Sequence, residues 1–251
     1  MNSPRYIITF ILILTTIVAV LLTGLRQVTM EKAAQNEDIF NKRAILQAVA
    51  TQFPEGQEVK DLSDQEVLEI FNQEMEQKVL DYSGNIVEGV KAEDIDMAKE
   101  RKKPEEERRY PLYIYKGSED PTYILSVRGN GLWDEIWGNV ALDNDLNTIV
   151  GVAFDHKGET PGLGAEIKDN PAFSRQFIGK KIYEEDGDYV SVQVKKGGAD
   201  DSNPHAVDGI TGATITADGV EDMLYKWIKY YQPYFQTIQK KTGTQQGMLI
   251  Q

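Results

Sequence analysis

The chain predicts an α+β fold, with a mainly antiparallel sheet and segregated helices, preceded by one N-terminal transmembrane helix. Three observations carry this. An uninterrupted apolar run opens the chain, β-branched and aromatic segments cluster between Tyr110 and Phe154, and helical apolar stripes lie on either side of that cluster.

From Tyr6 to Leu25 the residues are apolar apart from Thr and Gly. At about 1.5 Å per residue this run spans the roughly 30 Å hydrocarbon core of a bilayer. It is too long for the apolar region of a signal peptide, and Leu21-Leu22-Thr23-Gly24-Leu25 offers no small-x-small cleavage site. Residues 1–30 are therefore read as a membrane anchor. Arg5 precedes the span, and Arg26, Lys32, Lys42 and Arg43 follow it. By positive charge alone the following domain would stay in the cytoplasm.

Residues 31–109 read as a helical and charged connecting region. Ile39, Leu46, Val49 and Phe53 recur at helical spacing over about 31–51, and Pro54 and Gly56 end that helix. Ser63 and Glu66 form a capping box, after which Val67, Phe71, Met75 and Val79 line one face of a second helix. Residues 92–109 are dominated by charge, with no apolar stripe, and read as a solvated, mobile insert.

The period changes at Tyr110. Strands are expected over 110–115, 122–127, 138–142 and 148–154, the last two joined by a turn at Asp143-Asn144-Asp145. A short helix is expected over 172–178 after Pro171, and a strand over 189–194. A final helix begins near Thr214, with Val220, Met223, Leu224, Trp227, Ile228 and Tyr231 on its apolar face. The globular domain is thus placed at 110–235, and the Gln- and Thr-rich tail 236–251 reads as disordered.

Composition excludes several functions. A net charge of −13 opposes binding to nucleic acid, whose affinity depends on Lys and Arg displacing counterions. The absence of Cys rules out disulfides and Cys-ligated clusters within the chain. His156 and His205, the two histidines, read as exposed loop residues, so no metal site is assigned. No G-x-G-x-x-G follows a strand, so this chain is not expected to bind NADH itself. Trp133 and Trp137 read as core packing.

Three segments remain. Asp208-Gly209-Ile210-Thr211-Gly212-Ala213-Thr214 places hydroxyls among small residues at a helix start. By itself it is either a Gly-punctuated turn or a site where a phosphate can approach the backbone. The second is Gly131-Leu132-Trp133-Asp134-Glu135-Ile136-Trp137-Gly138-Asn139-Val140-Ala141-Leu142-Asp143, which takes in the strand predicted over 138–142, and the third is Glu159-Thr160-Pro161-Gly162-Leu163-Gly164-Ala165-Glu166, which opens with a turn-forming Pro-Gly run. In this order, behind one membrane span, they resemble the C subunit of the sodium-translocating NADH:quinone reductases, over residues from the anchor to about Phe235.

The resemblance implies FMN held covalently, its phosphate esterified to Thr214 rather than Thr211 by an FAD-dependent flavin transferase that recognises a motif headed by Asp208. Gly212 and Ala213 would leave room for the phosphate and the modifying enzyme. Thr160, Leu163 and Gly164 would contact the isoalloxazine, with Lys196 nearby, where a cation favours the reduced flavin. Thr216 is expected to cap the helix. The chain would have no catalytic residue of its own. It would relay electrons from NADH-oxidising subunits toward quinone, with its flavin domain on the outer, periplasmic side of the cytoplasmic membrane.

Two alternatives stand beside this reading. The FMN-bearing subunit of the ferredoxin:NAD electron-transport complex has a similar motif, although the stretch from Val140 to Glu166 fits the sodium-pump subunit better. A membrane-tethered scaffold without flavin would use the same residues as a plain start of a helix.

Overall fold

The structure is a computed structural model that describes residues 3–248, with side chains described as far as residue 240. The chain divides into two compact units, one ending at Lys42 and the other beginning at Arg43. Helix α1 (Pro4–Ala48) starts in the first and ends in the second. It contains an apolar window of mean hydropathy 2.6, none of which is buried within the protein. Two hydroxyls of the apolar run are satisfied internally: Thr15 donates to the Ile11 carbonyl at 2.9 Å and Thr16 to that of Leu12 at 2.7 Å. Such a surface is stable in hydrocarbon and costly in water. The two helices expected on either side of residue 30 are one, because no Gly or Pro interrupts the chain between Gly24 and Pro54.

In the second unit, helix α2 (Asp64–Glu74) starts on the expected capping box. The Ser63 side chain accepts from the Glu66 N–H, and the Glu66 carboxylate accepts from the Ser63 N–H at 2.7 Å. Val67 and Phe71 are buried as expected. Met75 and Val79 are buried too, but on strand β1 (Met75–Leu80) rather than on the helix. A spacing of four satisfies one face of a helix and one face of a strand alike. Pairing decided between them, and β1 runs antiparallel to strand β2 (Tyr110–Tyr115), from Met75 opposite Tyr115 to Leu80 opposite Tyr110.

The charged segment 92–109 is anchored rather than loose. It folds into a 3₁₀ turn (Ala92–Asp94), helix α3 (Met97–Glu100) and a second 3₁₀ turn (Glu105–Glu107). Its charges find fixed partners. The Glu100 carboxylate accepts from Arg109 N–H at 2.9 Å and from Lys103 Nζ at 2.7 Å, and Arg101 donates to the Gly129 carbonyl at 2.9 Å.

Strands β3 (Thr122–Asn130), β4 (Glu135–Leu142) and β5 (Ile149–His156) complete a five-stranded antiparallel meander in the order β1-β2-β3-β4-β5. The turn between β4 and β5 closes at Asp143, whose N–H donates to the Thr148 carbonyl at 2.8 Å. Every residue of β2 is buried. Tyr113 on one face meets Phe71 edge-on at 5.8 Å, and Tyr110 on the other meets Trp227.

Helices α4 (Glu166–Asp169) and α5 (Pro171–Arg175) carry Ile167, Phe173 and, just beyond, Phe177 against β5, with Phe154 and Phe177 ring centroids 5.4 Å apart. The strand expected over 189–194 shrinks to β6 (Gln193–Lys195), parallel to β7 (Ala206–Asp208), because Ser191 turns to φ +60° and breaks the extended run.

Helix α6 (Thr214–Met248) packs its expected stripe on the sheet, and Val220, Met223, Leu224, Trp227, Ile228 and Tyr231 are all buried. It also continues past the expected end at Phe235. Pro233 lacks one N–H, but the buried Tyr234 and Phe235 hold the next turn and no Gly follows until Gly243. Of the tail 236–251, residues 249–251 lie outside those described.

Candidate functional site

The segment 208–216 leads from the end of β7 into the first turn of α6. Gly212 has φ +79°, which side chains rarely adopt, and a Cβ there would lie 2.7 Å from Leu163 Cδ2. The glycine therefore lets Leu163, itself 41% exposed, lie against the backbone of the segment. Ala213 is buried just ahead of the helix and has no side-chain acceptor to offer, so the first-turn N–H groups gain no cap from it.

Beside this helix start opens a cleft of about 240 Å³, lined by Lys196, Gly197, Gly209, Thr211, Gly212, Thr214 and Asp218, among others. Four of the expected residues, Lys196, Thr211, Gly212 and Thr214, thus share one cleft. Lys196 is exposed, in the turn that follows β6. First-turn N–H groups, the positive end of the helix dipole and a lysine together suit a phosphate. Asp208 is committed elsewhere: its carboxylate accepts from Ala199 N–H at 2.7 Å.

Thr160, Leu163 and Gly164 flank this cleft rather than line it. Trp133 Nε1 donates to Thr160 Oγ1 at 3.2 Å, which joins the loop between β3 and β4 to the 159–164 turn. Trp133 is 68% exposed, so it is not core. It sits at a hairpin tip closed by Gly131 N–H donating to the Asp134 carbonyl at 2.8 Å, and nothing covers it there. Trp137 is half-buried, with the Arg128 guanidinium 5.0 Å from its ring.

Thr216 does not cap the helix. Its hydroxyl donates to Glu159 Oε2 at 2.7 Å, and both residues are buried. Glu159 Oε1 accepts from Trp133 N–H at 2.9 Å. Burial pushes the Glu159 carboxyl up, but donors from Trp133, Thr216, Asp134 and Leu132 outweigh it and hold the group below its ordinary value. Sequence reasoning missed this residue, whose partners lie 26 and 57 positions away. Neither histidine is a free loop residue: His156 Nδ1 accepts from Glu159 N–H at 3.1 Å, and His205 Nδ1 lies 2.8 Å from the Lys181 carbonyl.

A larger surface hollow of about 540 Å³, lined by Asn147, Lys181, Glu184, Glu185, Asp186 and His205 among others, contains none of the motif residues. Its three carboxylates do not suit a phosphate.

Residues 131–229 match the family model described as the FMN-binding domain. The chain is 36% identical over 179 residues to the C subunit of the Na(+)-translocating NADH-quinone reductase of Vibrio anguillarum, covering 64% of this chain and 69% of that relative. The chain belongs to the family of C subunits of these reductases. Its counterpart in Pseudomonas aeruginosa is 44% identical over 142 residues, a match that takes in 55% of this chain and 51% of that relative. Among solved structures, the C subunit from Parabacteroides distasonis superposes with a TM-score of 0.70 at 36% identity, over 80% of this chain and 94% of that one. NqrC from Shewanella oneidensis gives 0.65 at 25% identity, over 80% and 99%. The α+β architecture is that of the family, which is named for an oxidoreductase complex, and the chain carries an FMN-binding domain.

Proposed function

We propose that this chain is the membrane-anchored subunit of a sodium-pumping NADH:quinone reductase, that it bears FMN esterified through its phosphate to Thr214, and that it relays electrons from the NADH-oxidising subunits toward quinone. The observation that carries the reading is the position of Thr214, at the start of α6 and on the wall of a cleft it shares with Lys196, Thr211 and Gly212.

The flavin supplies reversible electron transfer, and the chain's own residues hold it. The first turn of α6 offers N–H groups and a positive dipole end to the phosphodiester, and Lys196 adds a cation on the same cleft. Leu163, lying against Gly212, offers an apolar contact for the ring, with Thr160 and Gly164 in the same turn. A cleft of about 240 Å³ is small for a drug-sized ligand, for which pockets run from about 300 Å³. A covalent bond removes the need to enclose the cofactor, and an exposed ring suits exchange of electrons with neighbouring proteins.

Further partners follow from the same reading: the other subunits of the complex, and an FAD-dependent flavin transferase that installs the cofactor. The flavin domain lies on the outer side of the cytoplasmic membrane, where FMN lost from a noncovalent site could not be replaced from the cytoplasm. The test is to co-produce the chain with the transferase and run the denatured protein on a gel. The wild-type band fluoresces and the Thr214→Ala band is dark. A dark wild-type band refutes the attachment, and a fluorescent Thr214→Ala band moves it to another residue, Thr211 first.

A further inference from the structure

Glu159 is a carboxylate with 5% relative exposure in a region otherwise built from turns. Its two oxygens point in two directions. Oε1 accepts from the backbone N–H of Trp133 at 2.9 Å, and Oε2 accepts from the hydroxyl of Thr216 at 2.7 Å. Its own N–H donates to His156 Nδ1 at 3.1 Å, which fixes the residue to the end of β5. Both walls around the carboxylate are glycine. A Cβ on Gly131 would lie 2.5 Å from Oε1, and one on Gly164 would collide with Oε2. The space has been left for this group and for no larger neighbour.

The three segments joined here come from distant parts of the chain: the 131–134 tip, the 159–164 turn and the first turn of α6. Thr216 stands two residues after Thr214 in that turn. Nothing else among the described hydrogen bonds ties the 131–134 tip or the 159–164 turn to α6. The polar link between the first two segments that does not involve Glu159, Trp133 Nε1 to Thr160 Oγ1, lies at the exposed surface.

We infer that Glu159 is a positioning residue, which locks the Trp133 tip and the Thr160–Gly164 turn to the first turn of α6 and so sets where these walls stand relative to Thr214. Leu132, Trp133, Leu163 and Ile215 are 46%, 68%, 41% and 57% exposed around the site, too exposed for packing alone to hold them. The buried carboxylate does this instead, because an ionised acceptor with strong donors makes short, directional bonds. The inference takes its meaning from the reading of Thr214 as the flavin-bearing residue, but its geometry stands without it.

The test is hydrogen exchange on the full chain made without the transferase, followed by the same chain carrying its cofactor. In Glu159→Ala, amides of 131–135 and 159–165 exchange at least about tenfold faster than in wild type, while those of the sheet over 110–128 keep their rates. Glu159→Gln restores most of the protection, since its amide oxygen can accept from Trp133 and its NH₂ can donate to Thr216. Thr216→Val, which removes only one arm, loosens 159–165. In the flavin-loaded chain, Glu159→Ala still gains the mass of FMN but shows a changed visible circular dichroism.

Uniform loss of protection across the sheet in Glu159→Ala would reduce the residue to general stability. Should Glu159→Ala not fold, wild-type exchange rates in Thr216→Val overturn the inference by themselves. A wild-type chain that gains no FMN mass defeats the reading of Thr214 and leaves the exchange result to stand or fall separately.

Discussion

At the scale of single residues, the proposed attachment rests on the hydroxyl of Thr214 and the proposed placement on the carboxylate of Glu159. Glu159 also makes a prediction about acid. Its folded-state value lies below the ordinary one, so its contribution to stability is full above the unfolded-state value and is lost as pH falls through the folded one. The melting temperature of wild type therefore falls toward that of Glu159→Gln as the pH is lowered through the acidic range, and the two converge at the acid end. A difference that is the same at every pH would remove the carboxylate's charge from the account. Tyr231 makes a prediction about packing. It is fully buried and its hydroxyl donates to the carbonyls of Pro111 at 2.9 Å and Ser126 at 3.0 Å. Tyr231→Phe leaves both carbonyls without that donor and costs about 1–3 kcal/mol in denaturant unfolding.

The elements show where sequence was informative and where it was silent. The capping box at Ser63, the strand over 110–115 and the stripe from Val220 to Tyr231 were legible because their signals are local and periodic. Met75 and Val79 fit a helix by sequence and lie on a strand, because a spacing of four is common to both periods and only the partner strand at 110–115 resolves it. The charged segment misleads for a related reason: Glu100 and Arg101 look solvated until the backbone groups they bind, Arg109 N–H and the Gly129 carbonyl, are known. Arg101 also donates to Asn130 Oδ1 at 2.8 Å, so this segment buttresses the end of β3. Arg101→Ala accordingly speeds proteolysis within 92–109 and lowers stability by about 1–2 kcal/mol, whereas a freely solvated arginine would cost nothing measurable. Ser63→Ala, which removes the cap of α2, costs about 1 kcal/mol by the same measurement.

Of the candidate site, Lys196, Thr211, Gly212 and Thr214 were legible as a group because three of them sit in one short segment and the resemblance supplied the fourth. The Glu159–Thr216 bond was not legible, because the partners are 57 residues apart and neither has a sequence signature for the other. The four-residue spacing of Trp133 and Trp137 suggests core packing for both, but Trp133 stands exposed at a hairpin tip, and Gly131 and Asp134 close to it are the available hint of that turn.

At the scale of the whole molecule, an exposed apolar helix and an acidic globular unit are joined in one chain of net charge −13. The apolar window has no shelter within the protein, so the full chain partitions into the membrane fraction and resists extraction by high salt. A chain beginning near residue 31 is released to the soluble fraction. In intact cells stripped of the outer membrane, added protease removes the flavin domain if it faces outward, which the proposed orientation requires and the simple count of Lys and Arg does not.

The most direct measurement is the mass of the peptide spanning Asp208 to Thr216, isolated from the full chain made together with the proposed flavin transferase. The account predicts that this peptide carries FMN, with fragmentation placing the added phosphate on Thr214. The bare peptide mass in protein from such cells, or the added mass on any other residue, would contradict it.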